Sequence, residues 1–171
     1  APPGNLRAAK LPGLRLVITI GAESHAGMIP FADIAGLGGA AERRRLAALA
    51  ETLQFDDAIN IQFTSGTTGF PKGATLTHRN ILNNGFFVGE CMRLTPADRL
   101  CIPVPMYHCF GMVLRVLACL THGSTIVFPN DGFDALSVLE TVQAERCTAL
   151  HGVPTMFIAE LDHPEFASFD L

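Results

Sequence analysis

The apolar positions of this chain fall into short runs whose period changes several times. Leu14 to Ile20 (LRLVITI) is β-branched and apolar, which predicts a strand. Residues 21–39 (GAESHAGMIPFADIAGLGG) are rich in Gly and Ala and are expected to be mostly loop. Over 40–53 (AAERRRLAALAETL), strong helix formers carry Leu46, Leu49 and Leu53 at helical spacing, so a helix is predicted. AINIQF, 58–63, alternates as a short strand. Thr77 has the chemistry of a helix N-cap, with Asn80 at the third helical position. Ile81, Leu82, Gly85, Phe86, Gly89 and Met92 then recur at three and four, marking one buried helical face.

The second half repeats the alternation. Arg99 to Val104 reads as a strand, broken by Pro103 and Pro105. Phe110 to Leu120 is apolar almost all round and reads as a buried helix, most of it plain core. Ser124 to Phe128 is a strand. Asp134 caps a helix with Leu136, Leu139 and Val142 inward, Cys147 to Leu150 is a strand, and Pro154 suits the first turn of a last helix. Strands alternating with helices over short links predict an α/β fold, a mainly parallel sheet with covering helices. In such sheets ligands gather at the carboxyl ends of strands. The segment 63–73, FTSGTTGFPKG, is expected at one of these places, between strand 58–63 and the helix that Thr77 opens.

Composition narrows the function classes. Of 171 residues, 49% are hydrophobic and 16% charged, the make-up of a globular core. The net charge of −4 and the pI near 5.8 argue against a nucleic-acid binder. Arg43, Arg44 and Arg45 read as a solvated helix face. The five cysteines are odd in number and form no CxxC, so reduced, buried thiols in a cytosol-like compartment are expected rather than a disulfide framework or zinc site. No apolar run approaches the ~18 residues of a membrane span, and no secretory signal stands at the start. The chain opens on APPG, without Met, and a piece of a longer protein is expected.

The loop 63–73 carries the clearest chemistry. A phosphate chain needs convergent backbone N–H groups, and Gly66, Gly69 and Gly73 permit the turns and the close approach. Hydroxyls of Thr64, Ser65, Thr67 and Thr68 add donors, Lys72 places a point charge, and the N-terminus of a following helix would add a favourable field. The spacing is not Walker A: four residues separate Gly66 from Pro71 rather than from a Gly-Lys pair, and Lys72 is followed by Gly73.

FTSGTTGFPKG resembles the signature loop of the adenylate-forming (AMP-binding) superfamily, which holds acyl-CoA synthetases, luciferases and peptide-synthetase adenylation domains. THRN at 77–80, PMYHCFG at 105–111 and GVPTM at 152–156 extend the resemblance from about Asp57 to Leu171, and the chain is most similar to medium-chain fatty-acyl-CoA synthetases. The resemblance implies part of the large N-terminal domain of such an enzyme over 1–171, without the C-terminal domain. It implies a two-step ligase using ATP, Mg2+ and coenzyme A, in which a fatty acid or other carboxylic acid becomes an acyl-adenylate and then a thioester. Thr64, Ser65, Gly66, Thr67, Thr68, Gly69, Phe70, Pro71 and Lys72 would hold the phosphates. His108 would sit beside the substrate carboxylate, with Tyr107 and Gly111 shaping the acyl approach; Lys72 and His108 are the candidate catalytic residues. A lone His beside an apolar helix also reads as plain core, and His25, His78, His122, His151 and His163 take that reading. No residue is assigned to a metal. The family's Tyr-Gly-x-Thr-Glu and Thr-Gly-Asp elements do not occur here, so the chain alone is expected to lack turnover. Alternatives are another adenylate-forming enzyme (carrier-protein loading or luciferase-like) and a non-catalytic nucleotide- or phosphate-binding module. A cytoplasmic location is implied, with the mitochondrial matrix as its alternative.

Overall fold

A computed structural model of the chain describes residues 6, 8–21, 23, 25–66 and 69–171. The chain divides into two compact units, Ala1–Leu53 and Gln54–Leu171. In the first, the strand expected over 14–20 is confined to β1 (Ile18–Thr19), paired in parallel with β2 (Ile29–Pro30). The ladder stops at Pro30, which has no N–H to continue it. The stretch expected to be mostly loop holds β2, a 3-10 turn at Phe31–Asp33 and the short helix α1 (Ile34–Leu37). Helix α2 (Ala40–Ala50) forms where its spacing predicts, and the Glu42 carboxylate accepts the Gly39 N–H at 2.9 Å. Every residue of α2 is exposed, the arginines and the leucine stripe alike.

The second unit opens with an antiparallel hairpin, β3 (Ala58–Thr64) and β4 (Lys72–Thr77), followed by α3 (His78–Met92). This corrects the expectation that the glycine-rich loop leads straight into a helix. KGATLT alternates with a β-branched Thr75 and an apolar Leu76, and it pairs back onto β3 with Thr64 opposite Lys72 and Ala58 opposite Thr77. Thr77 does cap α3: its hydroxyl accepts the Asn80 N–H at 3.3 Å, and the Asn80 side-chain Oδ1 accepts the Thr77 N–H at 3.0 Å. That cap lies at the opposite end of β4 from the loop, about 20 Å away at ~3.4 Å per residue. The helix field fades within its first turn, so α3 gives the loop no electrostatic help.

The rest of the unit is a parallel α/β layer. Strand β5 (Arg99–Cys101) runs between β6 (Thr125–Val127) and β7 (Ala149–Leu150), all parallel. The sequence run Leu100 to Val104 is apolar without alternation because β5 is covered on both faces. Leu100 and Cys101 are fully buried and Ile102 is 2% exposed. The strand ends earlier than expected, since Pro103 cannot donate to a ladder; the Ile102 N–H makes the last bond, to the Val127 carbonyl at 2.9 Å. Below the sheet, Asp98 accepts from the Thr95 N–H, the Thr95 hydroxyl and the Thr148 hydroxyl at 2.7 to 2.8 Å. Those bonds, Thr95 foremost, hold its carboxyl below the usual range.

Two crossovers cover the sheet. The first is one continuous helical run: α4 (Cys109–Gly111), a π-helical stretch (Met112–Leu117) and α5 (Ala118–His122). The second is α6 (Ala135–Ala144), capped as expected by the Asp134 carboxylate on the Ser137 N–H at 2.8 Å, and α7 (Pro154–Leu161) closes the unit with Pro at its start. The buried face of α3 is narrower than its apolar pattern: Ile81, Gly85 and Gly89 are buried, whereas Leu82 and Phe86 are 50% and 41% exposed. Gly85 and Gly89 let α3 lie directly on the run Leu117–His122. A Cβ at Gly85 would meet the Leu117 Cβ at 2.6 Å, and one at Gly89 would meet the His122 ring at 2.3 Å. His122 is a satisfied structural residue, bonded to the Ala118 carbonyl and Glu90 at 3.0 Å and stacked on Phe86.

Of the five thiols, all free, Cys101 and Cys119 are buried and Cys147 partly so. Cys91 and Cys109 are exposed, which corrects the expectation of uniformly buried thiols. Burial pushes the Cys101 thiol up to about 12 and leaves it inert.

Gly85→Ala is expected to lower stability by about 1–3 kcal/mol, because overpacking against Leu117 outweighs the ~1 kcal/mol of helix propensity gained. Urea unfolding of wild type and variant measures it; an unchanged midpoint would show that the two helices do not need this close approach.

Candidate functional site

The candidate residues form two groups. The first is the mouth of the β3–β4 hairpin. Gly66 has φ 66° and Gly69 has φ 82°, the left-handed region that favours glycine. At Gly66 the need is absolute, since a Cβ would come 2.1 Å from the Phe70 carbonyl oxygen. Thr64, Ser65, Gly69, Phe70, Pro71 and Lys72 are exposed. Thr64 and Lys72 face each other across the ladder, so the hydroxyl and the ammonium share one face of the hairpin. Thr67 and Thr68 lie outside the described residues.

The second group stands at the carboxyl edge of the parallel sheet. Pro103 and Pro105 force the chain out of β5, and the turn that follows leads to His108, the N-cap of α4. His108 Nδ1 accepts the Phe110 N–H at 3.1 Å. A neutral imidazole that accepts at Nδ1 carries its proton on Nε2, which is left as an exposed donor. Gly111 holds the helix start against the loop, since a Cβ there would meet the Pro105 carbonyl oxygen at 2.3 Å. Tyr107, 88% exposed, stands on the rim of a cleft of about 690 Å³. The cleft lies past the ends of β5 and β6 and is lined by Ile102, Val104, Phe133 and Met156 among others. Its volume and mainly apolar lining suit a small organic ligand. Among the described residues no hydrogen bond joins this group to the hairpin mouth.

Two further polar residues lie at this edge. Arg115, in the middle of the π-helical stretch, is 6% exposed. Its guanidinium lies 4.1 Å from the centre of the Phe110 ring, and one Nη donates to the Leu114 carbonyl at 2.8 Å. Its Nε has no partner among the described residues, and burial pulls its pKa down to about 10. The second is His151, directly past β7, whose N–H donates to the Cys101 carbonyl at 3.4 Å. Its Nδ1 is buried without a partner among the described residues, and burial, with Arg115 adding repulsion, pulls its pKa down to about 4. The apolar reading of 110–120 passed over Arg115. The available signal was a single arginine inside FGMVLRVLACL, where a charge is buried only at a cost.

Metal chemistry has no ligand set here: among the described residues no group of three or more His, Cys, Asp or Glu could hold an ion. No helix among them is long and apolar enough to cross a membrane.

Comparison with known proteins gives a consistent picture. The family model for AMP-binding enzymes matches residues 21–171. A Bacillus subtilis protein named as an acyl-CoA synthetase is 50% identical over the whole chain, which spans 31% of that protein. The mitochondrial medium-chain acyl-CoA ligase of Danio rerio is 42% identical over the whole chain, which spans 28% of it. The ATP-bound crystal structure of MatB from Rhodopseudomonas palustris superposes with a TM-score of 0.59 at 35% identity, covering 66% of this chain and 22% of that one.

His151 makes stability depend on pH. Folded, it takes a proton only near 4, and unfolded near its ordinary 6.5. Its contribution is therefore complete above 6.5 and is lost as pH falls toward 4. Glu160, whose carboxyl burial pushes up, acts in the opposite sense above its ordinary 4.5. In His151→Gln the loss of stability between pH 7 and 5 should shrink by about 1–2 kcal/mol, after allowance for partial exposure. Chemical unfolding of both proteins at the two pH values measures this, and equal losses would refute it.

Proposed function

We propose, since this chain belongs to the AMP-binding enzyme family, that it is part of an ATP-dependent acyl-CoA ligase. The proposed enzyme joins a carboxylic acid to AMP, releases pyrophosphate, and passes the acyl group to coenzyme A. The observation that carries this reading is the loop at the hairpin mouth. Gly66 and Gly69 turn the backbone in conformations other residues resist, and Thr64 and Lys72 stand together on one face. The names of relatives matched along the whole chain support the same reaction.

In this reading the loop from Thr64 to Lys72 cradles the β- and γ-phosphates and then the leaving pyrophosphate. Exposed backbone N–H groups and hydroxyls donate to phosphate oxygens, and Lys72 offsets the charge that grows on the leaving group. His108, fixed by its bond to the Phe110 N–H, offers Nε2–H to an oxygen of the acid or its adenylate. Tyr107 and Gly111 border the approach to the cleft. No group of three or more His, Cys, Asp or Glu among the described residues could hold the magnesium ion of such reactions, and no step here runs through it. The enzyme is read as cytoplasmic, with the mitochondrial matrix as the alternative.

In the full-length protein, Lys72→Ala should cut kcat/KM for ATP by roughly 10–100-fold, the loss of one charge-assisted contact. Acid-dependent ATP–pyrophosphate exchange measures it, and unchanged kinetics would remove the loop from the mechanism. Product analysis with and without coenzyme A separates a ligase from an enzyme that stops at the adenylate.

His108→Asn tests the second group, because Asn also caps helices well. The melting temperature should hold within a few degrees while kcat/KM for the acid falls at least tenfold. A variant that melts early but keeps its activity would make His108 a cap and nothing more.

A further inference from the structure

We infer that Arg115 and His151 form a subsite for a second carboxylate on the acid substrate, so that the ligase prefers dicarboxylic acids to plain fatty acids of the same length. This inference rests on the ligase reading and names its substrate class.

The helical run starts at His108, the group proposed to meet the reacting carboxylate. His108 caps the run, Gly111 ends its first turn, and Arg115 follows four residues later in the same run. Seven residues at no more than ~1.5 Å each put Arg115 up to roughly 10 Å along the run from His108, within the reach of a medium-length acyl chain. The segment that carries Arg115 is π-helical, a geometry that recurs at functional sites and turns a side chain where an α-helix would not.

Arg115 is buried, yet among the described residues no carboxylate pairs with it; the ion pairs of the chain are made by other residues. The Phe110 ring and the Leu114 carbonyl are its compensation, and Nε is left free. A buried guanidinium without an anion is costly, and the partner that fits its planar fork is a carboxylate. His151 adds a second orphan atom, a buried Nδ1 at the end of β7 with no partner among the described residues, and the Arg115 charge bears on its ring. Phe110, which lies under the guanidinium, and Met156, which lines the cleft, pack on the same core cluster as the cleft residues Ile102 and Val104.

The test uses the full-length protein with suberate and octanoate, acids of equal length that differ in the second carboxylate. ATP–pyrophosphate exchange gives kcat/KM for each, and calorimetry gives their binding without turnover. The wild type should prefer suberate at least tenfold. Arg115→Leu should lower that ratio at least tenfold, and Arg115→Lys, which keeps the charge but not the fork, should lower it several-fold. If Arg115→Leu fails to fold, the wild-type ratio and the Lys variant decide. Equal use of the two acids by the wild type would overturn the inference. So would a ratio that survives Arg115→Leu, which would mean that another part of the protein supplies the partner carboxylate. Arg115-dependent binding of suberate without exchange on any acid would leave the subsite standing and defeat the ligase reading instead.

Discussion

Burial of β5 on both faces is the constraint from which the second unit is built. Leu100, Cys101 and Ile102 are almost wholly removed from water, and both neighbouring strands take their register from this one strand. Its lower end is tied by Asp98, which bonds to the Thr95 turn on one side and to Thr148 ahead of β7 on the other. Its upper end has no freedom to continue, because Pro103 and Pro105 remove donors from the ladder. The chain must leave the sheet there, and the turn delivers Tyr107 and His108 to the same edge that receives His151 from β7. A hydrophobic strand and two prolines therefore place the polar groups.

Helix packing sets the orientation of those groups. Gly85 and Gly89 allow α3 to press against Leu117 and His122, while Gly111 allows the start of the run to press against Pro105. Held at both ends, the run turns Arg115 inward rather than to solvent. The electrostatic consequence follows from burial: the guanidinium stays charged without an anion among the described residues, and the imidazole of His151 stays neutral well below its ordinary range. Arrangements of this kind are unusual in a core that exists only for stability, since an apolar residue would serve it better.

The two groups of the proposed site differ in character in a way that suits their tasks. The hairpin mouth is exposed and glycine-rich, fit to wrap a highly charged and hydrated phosphate chain and to let pyrophosphate go. The sheet edge is partly dry, bordered by an apolar cleft, and suited to an acyl chain. The hairpin joins them to one scaffold through β4 and α3, with the cap at Thr77 marking the passage from one to the other.

Much of this was legible along the chain. Apolar period, capping residues and proline positions identified α2, α3, α6 and α7 and the three parallel strands, because those signals are local. The phosphate chemistry proposed for the motif 63–73 was suggested by its residue types. The hairpin was not legible: β4 is too mixed in pattern to declare itself, and only its pairing with β3 makes it a strand. That pairing also carried the helix N-terminus away from the loop. Arg115 and His151 were hidden for a related reason. Sequence shows a lone arginine in an apolar run and a lone histidine at a strand end, 36 residues apart by their numbers. Whether such groups find water, each other or nothing is decided by which side of a helix faces the sheet. The sequence by itself determined most of the elements, the core strand and the glycine-rich loop, all set by neighbours within a few residues. Tertiary structure alone decided which charges lost their water, because desolvation depends on what distant parts of the chain pack around them.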